Sequence, residues 1–199
     1  MKKMLPFKWA KGAVASAVFG AAALVGGMPG TAQADETCMS PYMAKIVGQE
    51  DFVYVWTLGV EGMGDEQDKL VTISVNPDAD DYGEVVHIVS VGGRNEAHHS
   101  GLSDDRRFLW AGGLDSNKIF IFDVHSNPRE PKLHKVITNF VDKTGGMVGP
   151  HTFYALPGRI MVSALSNNVD HGGRTGMAEY TSEGEFIAAH WFPTDDDLR

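Results

Sequence analysis

Three features of the sequence predict an all-β fold of the β-propeller class. Helical periodicity is nearly absent along the chain. Short β-branched and aromatic runs alternate with Gly, Asn, Asp and Pro clusters. The runs also recur as a four-strand unit with a period of about 50 residues, the sequence mark of propeller blades.

The first element is a leader. Lys2, Lys3, Lys8 and Lys11 make a basic start, an apolar run covers 13–25, and Gly26, Gly27, Pro29 and Gly30 break it. Ala32-Gln33-Ala34 then offers small residues for cleavage after Ala34. This is the layout of a secretory signal peptide over 1–34. The run is too short and too weakly apolar for a membrane span. No twin arginine precedes it, and Cys38 lies past the cleavage point in a polar context, so no lipobox is formed. The expected location is the periplasm, with no membrane attachment after cleavage.

The formal net charge is −9, and removing the four lysines of the leader takes it to −13 for residues 35–199. That acidity argues against nucleic acid and anionic membrane surfaces as partners. Cys38 is the single cysteine. In an oxidising compartment it either pairs outside this segment or stays a free thiol, and a buried, incidental cysteine is an equal alternative.

The strand-like runs fall at 52–58, 70–75, 84–91, 108–112, 118–124, 133–138, 151–156, 159–165, 176–181 and 185–191. One repeat reads 98–102, 108–112, 119–124 and 133–137. The next reads 151–155, 160–164, 176–180 and 186–190, with His99 and His151 placed 52 residues apart. An earlier copy contains 70–75 and 84–91, preceded by 52–58. A four-stranded blade cannot bury both faces alone and must stack on neighbours around an axis. About three blades fit here, fewer than a ring needs, so the chain is expected to be the N-terminal part of a longer propeller. The chain's acidic last residues, 195–197, follow a strand with no closing element, which agrees. Strand spacing also leaves a β-sandwich open.

The first strand of a blade lines the central channel. His98 and His99 open one such strand and His151, after Gly149-Pro150, opens the next, so two blades would aim imidazoles at one channel mouth. Neutral imidazole suits copper, iron, nickel and zinc. Neighbouring residues on a regular strand point to opposite faces. His98 and His99 can therefore share one ion only on an irregular backbone, which Gly92-Gly93-Arg94-Asn95 makes available. The alternative is that these histidines simply bond local carbonyls. His87, His125, His134, His171 and His190 are expected in structural or surface roles. Asp78, Asp80, Asp81, Asp104, Asp105 and Asp195 to Asp197 are expected to shape turns. The Gly pairs 92–93, 112–113, 145–146 and 172–173 lack the strand–loop–helix setting of a phosphate loop.

The stretches His98-His99-Ser100-Gly101, Asn127-Pro128-Arg129-Glu130-Pro131-Lys132-Leu133-His134-Lys135-Val136-Ile137 and Pro150-His151-Thr152 resemble the selenium-binding protein / methanethiol oxidase family. The start, Cys38 to Tyr42 and then Tyr54-Val55-Trp56, looks like its bacterial, exported branch. The likeness spans essentially all of residues 35–199 and less than half of a full member. It implies a seven-bladed propeller with a histidine-held copper centre. The implied chemistry is oxidation of methanethiol by O2 and water to formaldehyde, hydrogen sulfide and hydrogen peroxide. His98, His99 and His151 match the family's proposed copper positions, and a further ligand would lie beyond Arg199. Animal relatives carry a selenium-associated cysteine where Gly83 stands here, so selenium binding through that position is not expected. Cys38 is the remaining candidate thiol. A non-catalytic metal-, sulfur- or selenium-binding propeller is the competing reading, and a homo-oligomer is compatible with either. A third option is that this segment alone is inactive because its metal shell is incomplete.

Overall fold

The computed structural model describes residues 40–170 and 172–197, all within one compact unit. The expected leader with its expected cleavage point Ala34, and Cys38, His171 and Arg199, lie outside the described residues. Among those described, no helix is long and apolar enough to cross a membrane.

Among the described residues, eleven strands form three separate antiparallel sheets. The first contains β1 (Phe52–Thr57), β2 (Lys69–Ser74) and β3 (Val85–Ser90), side by side in that order. The second contains β4 (Ala97–Leu102), β5 (Phe108–Gly113), β6 (Lys118–Asp123) and β7 (Lys132–Ile137). The third contains β8 (Met147–Leu156), β9 (Arg159–Asn167), β10 (Gly176–Thr181) and β11 (Phe186–Trp191). Each sheet is a simple meander, the shape that short turns between β-rich runs dictate. Three sheets, not two, remove the sandwich alternative. The arrangement is propeller-like, and these three sheets do not close a ring.

The middle sheet shows how the stacking works. On β5, Phe108 and Trp110 face the third sheet while Leu109 and Ala111 face the first. On β6, Ile119 and Ile121 pack one way, and Phe120 and Phe122 the other. Alternating side chains that are apolar on both faces are what a strand buried on both sides requires. Trp110, fully buried, stacks near Phe153 and Tyr180 of the third sheet, with ring centroids 6.2 and 5.8 Å away. Trp56 of β1 meets Phe120 and Phe122 of the second sheet at 5.6 and 5.9 Å.

The first sheet is the shorter copy. Lys69-Leu70 begins β2 as Lys118-Ile119 begins β6, and Trp56 packs forward from β1 as Trp110 does from β5. By these matches β1, β2 and β3 correspond to β5, β6 and β7, and no counterpart of β4 or β8 stands beside β1 among the described residues.

Two details differ from the sequence reading. A one-turn helix, α1 (Phe140–Thr144), fills the connection before β8, closed by Gly145 at φ 73. Its buried Phe140 joins the core between the second and third sheets. Five residues are too few to show helical periodicity, and the left-handed Gly145 is the only local trace of it. The strand carrying His151 begins at Met147, so His151 lies inside β8 instead of opening it.

Candidate metal centre

β4, with its neighbour β5, packs directly against β8. Two glycines permit this. A Cβ on Gly101 would lie 2.7 Å from the Phe153 carbonyl oxygen, and one on Gly112 would lie 2.6 Å from the Pro150 carbonyl oxygen. No other residue lets the backbone of β8 come this close.

Both strands are bulged at the same place. In β4, Ala97 pairs with Gly113 and Ser100 with Ala111, so His98 and His99 together stand opposite Gly112. In β8, Pro150 pairs with Ala164 and Phe153 with Val162, so His151 and Thr152 stand opposite Ser163. The hydroxyl of Ser163 accepts the Thr152 N–H at 3.0 Å. A two-for-one bulge breaks the alternation of side chains and re-aims them. This is the irregular backbone that consecutive ligands need. The ladder also makes His98, not His99, the counterpart of His151.

The result is a cluster of three imidazoles. Ring centroids are 4.6 Å apart for His98 and His99, 4.7 Å for His98 and His151, and 3.9 Å for His99 and His151. His98 Nδ1 lies 2.6 Å from His99 Nδ1, and His151 Nδ1 lies 3.0 Å from the Thr152 hydroxyl. One potential ligand atom from each residue lies within 4.8 Å of the others. Among the described residues this is the one group of three or more His, Cys, Asp or Glu side chains so placed.

Electrostatics favour the neutral, ligating form. Desolvation, followed by the nearby His98 charge, lowers the pKa of His99. Desolvation, followed by His99 and His98, lowers that of His151. Just ahead of the pair, Glu96 sits at φ 59 and hydrogen-bonds Asp115, which raises the Glu96 pKa.

The donor set fits a metal ion. Metal–imidazole bonds of about 2 Å put the donors of one ion no more than about 4 Å apart, so rotation of these side chains suffices. Three imidazoles with an open side match a catalytic site better than a closed structural one. His98 and His99 are exposed and His151 is half-buried, so a small molecule can reach the open side.

The other described histidines lie elsewhere. His87 stands in β3 opposite Thr72. His134 stacks on Phe108 at 4.8 Å. His125 follows β6, its N–H bonded to Asp123. His190 pairs with Glu179, which Arg159 also holds. Two of the acids expected to shape turns reach further. Asp104 accepts the Gly158 N–H at 2.9 Å, tying the second sheet to the third, and Asp81 pairs with Arg129 at 2.7 Å. The sequence reading passed over Asp68, which is completely buried and bonded to the segment that leads into His98. It belongs to no motif, and position 68 reads as polar loop. Gly83 takes φ 82, a conformation in which cysteine would be strained.

A family profile described as "56kDa selenium binding protein (SBP56)" matches residues 32–197. A methanethiol oxidase from Ruegeria pomeroyi is 65% identical over 179 residues, covering 90% of this chain and 41% of its own length. One from Hyphomicrobium is 59% identical over 181 residues, covering 89% of this chain and 41% of its own. The crystal structure of a hypothetical selenium-binding protein from Sulfolobus tokodaii aligns with a TM-score of 0.65 at 32% identity. It covers 77% of this chain and 37% of that one. The chain thus spans about two fifths of the length of each of these three relatives.

Proposed function

The chain belongs to the 56 kDa selenium-binding protein family, and we propose that it forms the metal-holding part of a copper-dependent methanethiol oxidase. The overall reaction would turn methanethiol, O2 and water into formaldehyde, hydrogen sulfide and hydrogen peroxide, which balances in atoms and electrons. The carrying observation is the meeting of His98, His99 and His151 at one point from two neighbouring strands. The close relatives named methanethiol oxidase support the choice of activity.

When bound, copper would supply a soft, redox-active centre that accepts a thiol as thiolate. The three imidazoles would hold it, and the lowered pKa values of His99 and His151 favour the unprotonated form of those two. The bulges fix the two histidines of β4 on one side and His151 on the other, so that their spacing is set by backbone. The exposed faces of His98 and His99 leave room for a ligand as small as methanethiol. The three sheets would be the first part of a seven-bladed ring, with a further ligand beyond Arg199. Residues 1–34 would direct export to the periplasm with cleavage after Ala34, leaving Cys38 near the new N-terminus.

Copper content of the purified chain, compared with His98→Ala, His99→Ala and His151→Ala, tests the metal. Each variant is expected to lose copper, and unchanged content would remove the proposal. Peroxide release on adding methanethiol, measured on a protein of the relatives' full length, separates an oxidase from a non-catalytic carrier. An oxidase releases peroxide and a carrier does not.

A further inference from the structure

Asp68 lies between β1 and β2, more than two dozen residues before the histidine pair, yet it is completely buried. A buried carboxylate is tolerated only where hydrogen bonds replace its water. Here both oxygens are used by backbone donors. Oδ1 accepts the Gly59 N–H at 2.7 Å and Oδ2 accepts the Asn95 N–H at 2.8 Å. The Asp68 N–H donates to the Gly93 carbonyl at 3.0 Å, and its own carbonyl accepts the Val91 N–H at 3.2 Å. One residue therefore ties the exit of β1 to the whole connection that runs into β4.

Asn95 continues the clamp. It is buried, and its side-chain amide donates to the Gly92 and Gly93 carbonyls at 3.0 and 3.3 Å. It seats against Gly113 of β5, where an added Cβ would come 2.8 Å from the Asn95 Cβ. Glu96 then takes the left-handed φ of 59, and its carbonyl accepts the Leu114 N–H at 3.0 Å. Ala97 is thereby placed opposite Gly113, and the two-for-one bulge of His98 and His99 follows directly.

We propose that Asp68, acting through Asn95, is a positioning residue that sets the register of β4 and so aims His98 and His99 at His151. It touches neither a ligand nor the imidazoles. It acts through three backbone links, the Asp68–Asn95 bond, the left-handed Glu96 and the Ala97–Gly113 pair. Without the carboxylate, the Asn95 N–H has no buried acceptor, and the 92–97 segment is free to relax. A slip of one residue in β4 would send an imidazole to the opposite face. The metal consequence rests on the reading of the cluster as a metal centre, whereas the geometric one does not.

Asp68→Asn tests this, because a carboxamide keeps the size but offers one acceptor oxygen where two N–H groups need one each. The first measurement is by NMR on the metal-free chain. Ring-proton NOEs are expected to link His151 to His98 and His99 in the unsubstituted protein, and Asp68→Asn is expected to lose them while Asp78→Asn, in an exposed turn, keeps them. Retained NOEs in a folded Asp68→Asn overturn the proposal. The second is a copper(II) competition titration with the EPR spectrum of the one-equivalent sample. Asp68→Asn is expected to bind at least about 10-fold more weakly, because His98 and His99 lose their aim as ligands do when their orientation is no longer fixed, with an altered EPR signature. Copper binding that is absent, or insensitive to His98→Ala, defeats the metal reading and leaves the NOE test standing. Should Asp68→Asn not fold, Asn95→Pro takes its place, since it removes the N–H that Asp68 Oδ2 accepts and leaves the carboxylate bonded to Gly59. NOEs and EPR signature unchanged in that variant also overturn the proposal.

Discussion

His99 and His151 hold protons less tightly than free imidazoles, chiefly because burial disfavours their charged form. Their folded pKa values lie below the ordinary value of 6.5. Above that value neither the folded nor the unfolded chain carries these protons, and stability is unaffected. As pH falls below it, the unfolded chain takes up protons that the folded one refuses, so stability is lost with acidification. Urea midpoints of the metal-free protein should therefore decline from pH 7.5 to 5.5. In a His99→Gln, His151→Gln double variant that decline should be smaller, and equal slopes would show that the cluster is not responsible. The three histidines could be read from the sequence because consecutive histidines and a repeat-spaced third are conspicuous. Asp68 could not, since nothing local distinguishes a buried carboxylate from the many turn-forming ones. Its burial depends on the Gly59 and Asn95 amides, which lie 9 and 27 residues away along the chain.

Within elements, the close approach of β4, β5 and β8 is the constraint that matters for the site. Gly112→Ala would drive a methyl against the Pro150 carbonyl, and Gly101→Ala one against that of Phe153. Backbone cannot rotate away as a side chain can. Each substitution should cost about 1–3 kcal/mol, the usual range for overpacking, read as a lower urea midpoint at unchanged slope. Each should also weaken metal binding, because β8 moves with His151. Trp110→Ala, by contrast, empties a fully buried site between two sheets and should cost about 3–5 kcal/mol while sparing β4 from direct strain. Apart from the start of β8, the strands themselves were legible within a residue or two, because turns in this chain are rich in Gly, Asn and Asp. The bulges were not. Periodicity reports which face a side chain serves, and a bulge alters that over only two residues. The adjacency of His98 and His99 was the one hint, since two ligands for one ion cannot sit next to each other on a regular strand. The early start of β8 was hidden by Gly149 and Pro150, which read as a turn but lie within the strand.

At the scale of the molecule, the described residues cover the second sheet on both faces and the first on only one. Ladder pairing places Val53 and Val55 of β1 beside Ile73 and Val71, and these beside Val85 and Ile88 of β3, on the face turned away from the second sheet. Val53, Val55, Val85 and Ile88 are 43%, 38%, 54% and 52% exposed. The edge of β1 next to this face carries no Pro, Lys or Arg, the residues that normally blunt a free edge. Such a surface promotes association between copies, so the 199-residue chain should self-associate through its first sheet. Val55→Lys places a charge on that face, next to the open edge. In the 199-residue chain it should shift sedimentation toward monomer and change stability by no more than about 0.5 kcal/mol, as exposed substitutions do. In a protein of the relatives' full length the expectation reverses. If another sheet covers this face there, the same lysine is buried without a partner and should lower stability by several kcal/mol. Opposite outcomes in the two lengths would identify the face as an internal contact of a closed ring. Equal, small effects in both would mean that the first sheet stays uncovered and that the ring does not close against it.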